Sequence, residues 1–247
     1  KKREVDVIFY YSQHFNRGEE SKNMFFDYLY SSCSRNNISY LVIEEPDFSS
    51  SKLRNEDAIS FDFVYLIIIF LRKLKVSDNI IGKILSKTIL RGLRFNNYIV
   101  LSQSMLSIFR CINPNAKLFD LQHGIIYSNK LSYIENREPA KNLKNNHVNL
   151  LLFGEGFRSL LLENDSSRYF ADYSHVIGFP RMVDSILHRS VNKNILVSLQ
   201  FTHDHTEKQN KLIASELEEF IGNHQSYNFF LRNHPRYNNE INLDRFF

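Results

Sequence analysis

Cysteine is nearly absent from the chain: Cys33 and Cys111 are the only two, with no Cys-x-x-Cys and no histidine at metal-ligand spacing. That pattern excludes a disulfide framework and a zinc module, and it points to a reducing, cytoplasmic compartment. Long apolar runs are missing as well. The longest, FVYLIIIFL from Phe63 to Leu71, has nine residues, whereas about 20 are needed to cross a bilayer. Glycine-rich signatures of the GxGxxG, GxxxxGK and GxSxG types do not occur, so dinucleotide-fingerprint, P-loop and serine-hydrolase readings have no support. The net charge is only +4. It suits an anionic ligand or an acidic surface, but it is far from the density of a dedicated nucleic-acid binder, and no nucleic-acid partner is expected. The chain opens KKREVDVIFYY, without Met or a signal-peptide pattern, and is read as cut from something longer.

What is present is ordinary globular composition, 43% hydrophobic and 23% charged, over a length that predicts two domains. Short, nearly continuous apolar runs recur at 5–11, 38–43, 98–102, 117–122, 148–153, 175–179, 195–201 and 228–232. Such runs are expected of strands buried on both faces. Helical patterns fall between them at 18–35, 56–74, 78–94, 103–112, 157–164, 181–190 and 206–222, the last opened by Thr206-Glu207 and carrying a Leu212, Leu217, Phe220 stripe. The polar stretch 127–147 reads as a linker. The fold class expected is therefore α/β, with two Rossmann-like domains at 1–140 and 141–247.

In open parallel sheets ligands sit at the carboxyl ends of the strands, so the residues just after each run are the candidates. LFDLQHG ends in His123-Gly124, LLFGEG in Gly154-Glu155-Gly156, VIGFPR in Gly178, Pro180 and Arg181, and FFLRNHPR in Arg232, His234, Pro235 and Arg236. Each junction pairs a residue that shapes the backbone with one that carries charge or moves a proton. A neutral imidazole at 123 can accept a hydroxyl proton, or it can simply be satisfied by a backbone carbonyl. Glu155 can act as a base or hold sugar hydroxyls, or it can serve its own helix N-terminus. Asp120, two residues before Gln122, is the weaker catalytic candidate because a regular strand points it away from His123. Arg181 stands where the helix dipole disfavours a cation, which suits a bound anion. Arg232 and His234 can grip phosphate through charge-assisted hydrogen bonds. His203-Asp204-His205 lacks a third metal ligand nearby and reads as a solvated loop.

The ordered set LQHG (121–124), GFPRMVD (178–184) and RNHP (232–235) resembles GT-B glycosyltransferases of bacterial surface polysaccharide synthesis, over roughly 120–235. The His-Pro pair is similar to the motif with which sialic-acid and Kdo transferases hold the phosphate and ribose of a CMP-sugar. The same three motifs also look like those of CDP-glycerol glycerophosphotransferases, although Gln122 stands where those enzymes carry an aromatic and Ile125-Ile126 where they carry a lysine. The resemblance implies an acceptor-side first domain and a nucleotide-binding second domain. Only twelve residues follow Pro235, so that second domain is expected to be incomplete. It implies a nucleotide-sugar donor, CMP-linked as the His-Pro motif favours, a glycan or lipid-linked acceptor, and no cofactor or metal. His123, Glu155 and Asp120 would then be catalytic, and Gly178, Pro180, Arg181, Arg232, His234 and Pro235 would bind the donor phosphates. Polyol-phosphate transfer, or a degenerate module that binds without activity, are the alternatives.

One further segment is unusual. From Arg72 to Arg94 seven basic residues and a single acid, Asp78, are interleaved with isoleucine and leucine. Such a segment is expected either to lie on anionic lipid at the inner face of a cell membrane or to form a solvated helix face.

Overall fold

A computed structural model of the chain describes residues 3–16, 23–48, 54–179, 193–199, 201, 205–233 and 241–246. The chain divides into two compact units, Lys1–Val183 and Asp184–Phe247. The first contains, in chain order, β1 (Arg3–Ser12), α1 (Asp27–Arg35), β2 (Tyr40–Glu45), β3 (Ala58–Ser60), α2 (Asp62–Lys73), α3 (Asp78–Lys87), β4 (Leu93–Val100), α4 (Leu106–Ile112), β5 (Lys117–Leu121), a hairpin of β6 (Ile134–Glu135) and β7 (Glu138–Pro139), α5 (Lys141–Asn146), β8 (Val148–Leu152), α6 (Glu155–Glu163), α7 (Tyr169–Tyr173) and β9 (Ser174–Val176).

Seven of these strands form one sheet in the order β3-β2-β1-β4-β5-β8-β9, and every pairing in it is parallel. The chain builds outward from β1 to one edge, returns, and builds outward again from β4. The fold is α/β and Rossmann-like, with its switch point between β1 and β4. β1 is buried along almost its whole length, as a central strand covered on both faces must be.

The two faces are packed differently. One carries the larger core, in which Ile8, Tyr10, Tyr98, Val100 and Leu118 meet Ile68 of α2, Ile81 and Leu85 of α3 and Phe109 of α4. The Tyr98 and Phe109 rings stack at its centre, with centroids 4.2 Å apart. On the other face, α1 covers β1 and β2 through Phe26, Tyr30 and Cys33 against Val7, Phe9 and Val42. Farther along that face Asn97, Ile99, Phe119, Asn149 and Leu151 are only half-buried.

Several elements differ from the pattern expected. The helix expected at 78–94 stops at Lys87, and its last two residues already belong to β4. In β4 the sequence LRFNNYIV alternates buried and more open positions on either side of the polar Asn96-Asn97 pair, where the alternation slips by one residue. β3 lies inside the helix expected at 56–74. The stretch expected as a linker, 127–147, is folded into the first unit. Tyr133, Ile134, Ala140 and Leu143 enter the main core, and Asn136 and Arg137 turn the β6–β7 hairpin with positive φ values of 55° and 60°, the conformation that two-residue hairpin turns require. The sheet then continues past the boundary expected at 140, since β8 pairs onto β5 and β9 onto β8.

In the second unit β10 (Asn194–Ser198) and β11 (Asn228–Arg232) pair in parallel, and α8 (Glu207–Asn223) lies between them in sequence. A capping box of Thr206 and Gln209 starts α8. Leu212 and Phe220 face outward, and the packed face is Asn210, Ala214, Leu217 and Ile221 instead. Ala214 lets Leu199, Phe201 and Ile241 approach closely. The helix expected at 181–190 lies outside the described residues.

Helices α3 and α4 touch at Gly82, where an added Cβ would lie 2.7 Å from the Cβ of Cys111 and 2.8 Å from the carbonyl oxygen of Ile108. Overpacking of this kind costs about 1–3 kcal/mol, against about 1 kcal/mol gained when alanine replaces glycine in a helix. Gly82→Ala should therefore lower the unfolding free energy by about 1 kcal/mol in urea denaturation. Gly222→Ala in α8, where the added carbon meets nothing within 4 Å, should raise it by up to about 1 kcal/mol.

Candidate functional site

All the carboxyl ends of the seven-stranded sheet lie along one edge, and the polar residues of the first unit concentrate there. At the switch point, Ser12 ends β1 and His14 follows it, Glu45 ends β2, and Ser102, Gln103 and Ser104 follow β4. Ser12, His14, Glu45, Pro46, Asp47, Phe48 and Tyr65 line an open cavity of about 400 Å³. Half-buried Glu45 accepts hydrogen bonds from the Tyr10 hydroxyl at 2.6 Å and the Ser104 hydroxyl at 2.9 Å. Its fully buried neighbour Glu44 is held by the Tyr11 hydroxyl, Asn16 Nδ2 and the backbone N–H of Asn55. Glu44 thus ties the turn after β1 to the segment that leads into β3, and Glu45 ties β2 to the loop after β4.

His123 stands two strands from this cavity, just beyond β5. Its ring is half-buried and packs edge-on against Phe15, with centroids 5.0 Å apart, and against Phe25. The loop that carries it is fixed by the buried amide of Gln122. Gln122 Nε2 donates to the carbonyl of Gly124 at 2.8 Å, and Gln122 Oε1 accepts from the N–H of Phe153 at 2.8 Å. One side chain therefore joins the loop after β5 to the loop after β8. Lys130 Nζ adds a hydrogen bond to the carbonyl of Ile125.

Asp120 lies beneath that loop, 1% exposed, and accepts a 2.6 Å hydrogen bond from Gln103 Nε2. Burial drives its pKa up to about 6, against the opposing pull of Gln103, Tyr133 and Lys130. Its contacts are with groups other than the aromatic pair that holds His123, and it touches the loop after β4. It is a link between the β4 and β5 ends.

Glu155 is the first residue of α6 after Gly154 and is solvent-exposed, with only a long 3.9 Å approach to Arg158. A carboxylate in a first helical turn is favoured by the dipole. Gly178 follows β9 with a φ of +78°, a conformation that glycine adopts at little cost. The adjacent Phe179 packs edge-on against Phe153 at 4.9 Å. The loops after β5, β8 and β9, bearing His123, Glu155 and Gly178, are therefore joined in series through Gln122 and Phe153. Arg232 ends β11 in the second unit and is exposed. Pro180, Arg181, His234 and Pro235 lie outside the described residues, as do His203 and Asp204.

Glu45, Ser104, Gln103 and Gln122 were absent from the residues selected by sequence. The strand-end rule contains the signal that finds them, because Ser-Gln-His stands at the end of β1, Glu-Pro at the end of β2, Ser-Gln-Ser just after β4 and Gln-His just after β5. Among the described residues no group of three or more His, Cys, Asp or Glu is arranged for a metal ion, and no helix is long and apolar enough to cross a membrane.

The chain matches no protein-family model, no curated protein and no solved structure.

The pKa of Asp120 has a measurable consequence. Its folded value lies above the usual 3.8, so the folded protein keeps this proton where the unfolded chain has lost it. Stability therefore falls as the pH rises from about 4 to about 6, and the penalty persists above that window. Between pH 4 and pH 7, Asp120→Asn should gain about 2–3 kcal/mol of unfolding free energy relative to the native chain. Urea denaturation across this range checks it, and two parallel pH curves would contradict it.

Proposed function

We propose that this chain is a GT-B-type glycosyltransferase that moves a sugar from a nucleotide-activated, cytidine-linked donor to a hydroxyl of a bacterial surface glycan or lipid-linked acceptor. The observation that carries the reading is the set of neighbouring strand ends in the first unit. An imidazole, a carboxylate and a left-handed glycine follow successive strands on one edge, and a buried amide holds two of their loops in register. At Gly124, Gly154 and Gly156 an added Cβ would meet no atom within 4 Å, so internal packing does not account for these glycines. They leave room for a ligand to approach the backbone.

In this reading His123 takes the proton of the acceptor hydroxyl, with Glu155 as the other group available to orient or deprotonate it. The acceptor oxygen forms a bond to the anomeric carbon as the bond from that carbon to the phosphate oxygen breaks. The electron pair leaves with the nucleotide, whose charge the motif resemblance assigns to Arg181, Arg232 and His234. Gly178 turns the chain after β9 with its positive φ. Asp120 supports the β5 end from beneath. Basic side chains do the work a metal does elsewhere.

Calorimetric titration of the full chain with CMP, CDP and UDP tests the donor. CMP should bind, and His234→Ala should weaken it by about tenfold or more. No binding by any of the three would sink the reading. His123→Ala should leave CMP affinity within about twofold while slowing CMP release from CMP-linked sialic acid or Kdo by about 10²–10⁴-fold. Turnover of CDP-glycerol in place of both CMP-sugars would assign polyol-phosphate transfer instead.

A further inference from the structure

Helices α2 and α3 leave an apolar surface uncovered. On α2 the residues that face solvent are Phe63, Leu66 and Phe70, followed by Leu74, and on and after α3 they are Ile80, Ile84 and Ile89. Each of these seven side chains is 43 to 70% exposed. The α2 positions recur at three- and four-residue intervals, so they make one stripe along the helix, while Val64 and Ile68 on the opposite side enter the main core. Both helices pack on the same face of the sheet, since Ile81 and Leu85 of α3 enter that core as well. Their open sides therefore point away from the sheet on the same side of the molecule. Scattered exposed apolar residues are normal in a monomer, but seven on or just after two successive helices of one sheet face stand out.

The charge around this surface has one sign. Lys73, Lys75, Lys83, Lys87 and Arg91 are all exposed. The two carboxylates of these helices are already engaged, Asp62 with Arg54 and Asp78 with Arg72. On α3 the exposed Ile80, Lys83, Ile84 and Lys87 stand at three- and four-residue spacings, which puts them on one side of the helix. Long cationic side chains of this kind lay their stems along apolar material and carry the charge outward to an anionic layer.

We infer that α2 and α3 form a docking surface for an anionic lipid bilayer. Phe63, Leu66, Phe70 and Leu74 enter the boundary between headgroups and acyl chains, and Lys73, Lys75, Lys83, Lys87 and Arg91 meet the lipid phosphates. The charge decides for a bilayer over a second copy of this chain. Two such faces brought together by a two-fold axis would oppose five cations to five cations, whereas an anionic surface neutralises all of them. Phe63, Leu66 and Phe70, the α2 part of the apolar surface, lie upstream of the basic segment that stands out in the sequence. The inference is independent of sugar transfer, and a chain that binds no nucleotide could still dock.

Co-sedimentation of the full chain with vesicles tests it. Vesicles containing phosphatidylglycerol should retain the protein at low salt, pure phosphatidylcholine vesicles should retain about tenfold less or worse, and retention should fall steeply as salt screens the cations. Lys83→Glu with Lys87→Glu should reduce retention by about tenfold or more, and Phe63→Ser with Phe70→Ser should do the same through lost apolar burial. All four side chains are exposed, so circular dichroism should report an unchanged fold. Failure to bind phosphatidylglycerol vesicles, or equal binding by either double variant, would overturn the inference. Concentration-dependent self-association that Phe70→Glu abolishes, in a protein that ignores vesicles, would make the face a protein interface and would overturn it too.

Discussion

An all-parallel sheet can be built only if every connection recrosses the layer, and the rest of the first unit follows from that constraint. Seven strands running the same way leave seven carboxyl ends on one edge. There the chain must satisfy its last backbone groups, turn, and enter the next crossover. Polar side chains accumulate at this edge because the turns are packed too tightly for water to serve each group. Glu44, Asp120 and Gln122, each 1% exposed, are the result. They bridge neighbouring strand ends, which turns a row of separate turns into a connected rim.

The three bridges differ in energetic character. Gln122 is neutral, and its amide both donates and accepts, so its burial is compensated on both atoms. Glu44 collects its hydrogen bonds on one oxygen, from a tyrosine, an asparagine and a backbone N–H, and Arg54 approaches the other only to 4.0 Å. Asp120 has the least compensation, which is why burial outweighs its hydrogen bonds. The rim thus combines one bridge that is insensitive to acidity with one that titrates near pH 6.

Much of this arrangement was legible in the sequence, for identifiable reasons. Runs such as VDVIFYY and VNLLLF read as strands because both faces of a central parallel strand are buried, and their length and apolarity leave little else to form. The strand-end rule then located His123, Glu155 and Gly178 without any knowledge of pairing. What escaped was held by tertiary contacts and not by local pattern. β6 and β7 have two residues each, too few for any period, and stay folded because Tyr133, Ile134 and Leu143 reach the core. The start of β4 was hidden by its polar pair Asn96-Asn97, one of which, Asn97, hydrogen-bonds the carbonyl of Asp6. Burial on α8 followed Ala214 and not the larger Leu212 and Phe220, because the partner core needed a close approach.

Arg72 connects parts of the molecule that have so far stood apart. Its guanidinium grips Asp78 at the start of α3 through two hydrogen bonds of 2.8 Å and also donates to the carbonyl of Ser104 at 2.5 Å, while the Ser104 hydroxyl binds Glu45. The outer helix pair and the switch-point crevice are thereby braced by a single planar group with little freedom to flex. Whatever surface the helices rest on, the crevice is held at a set tilt and height above it, as a tool is held by its mount.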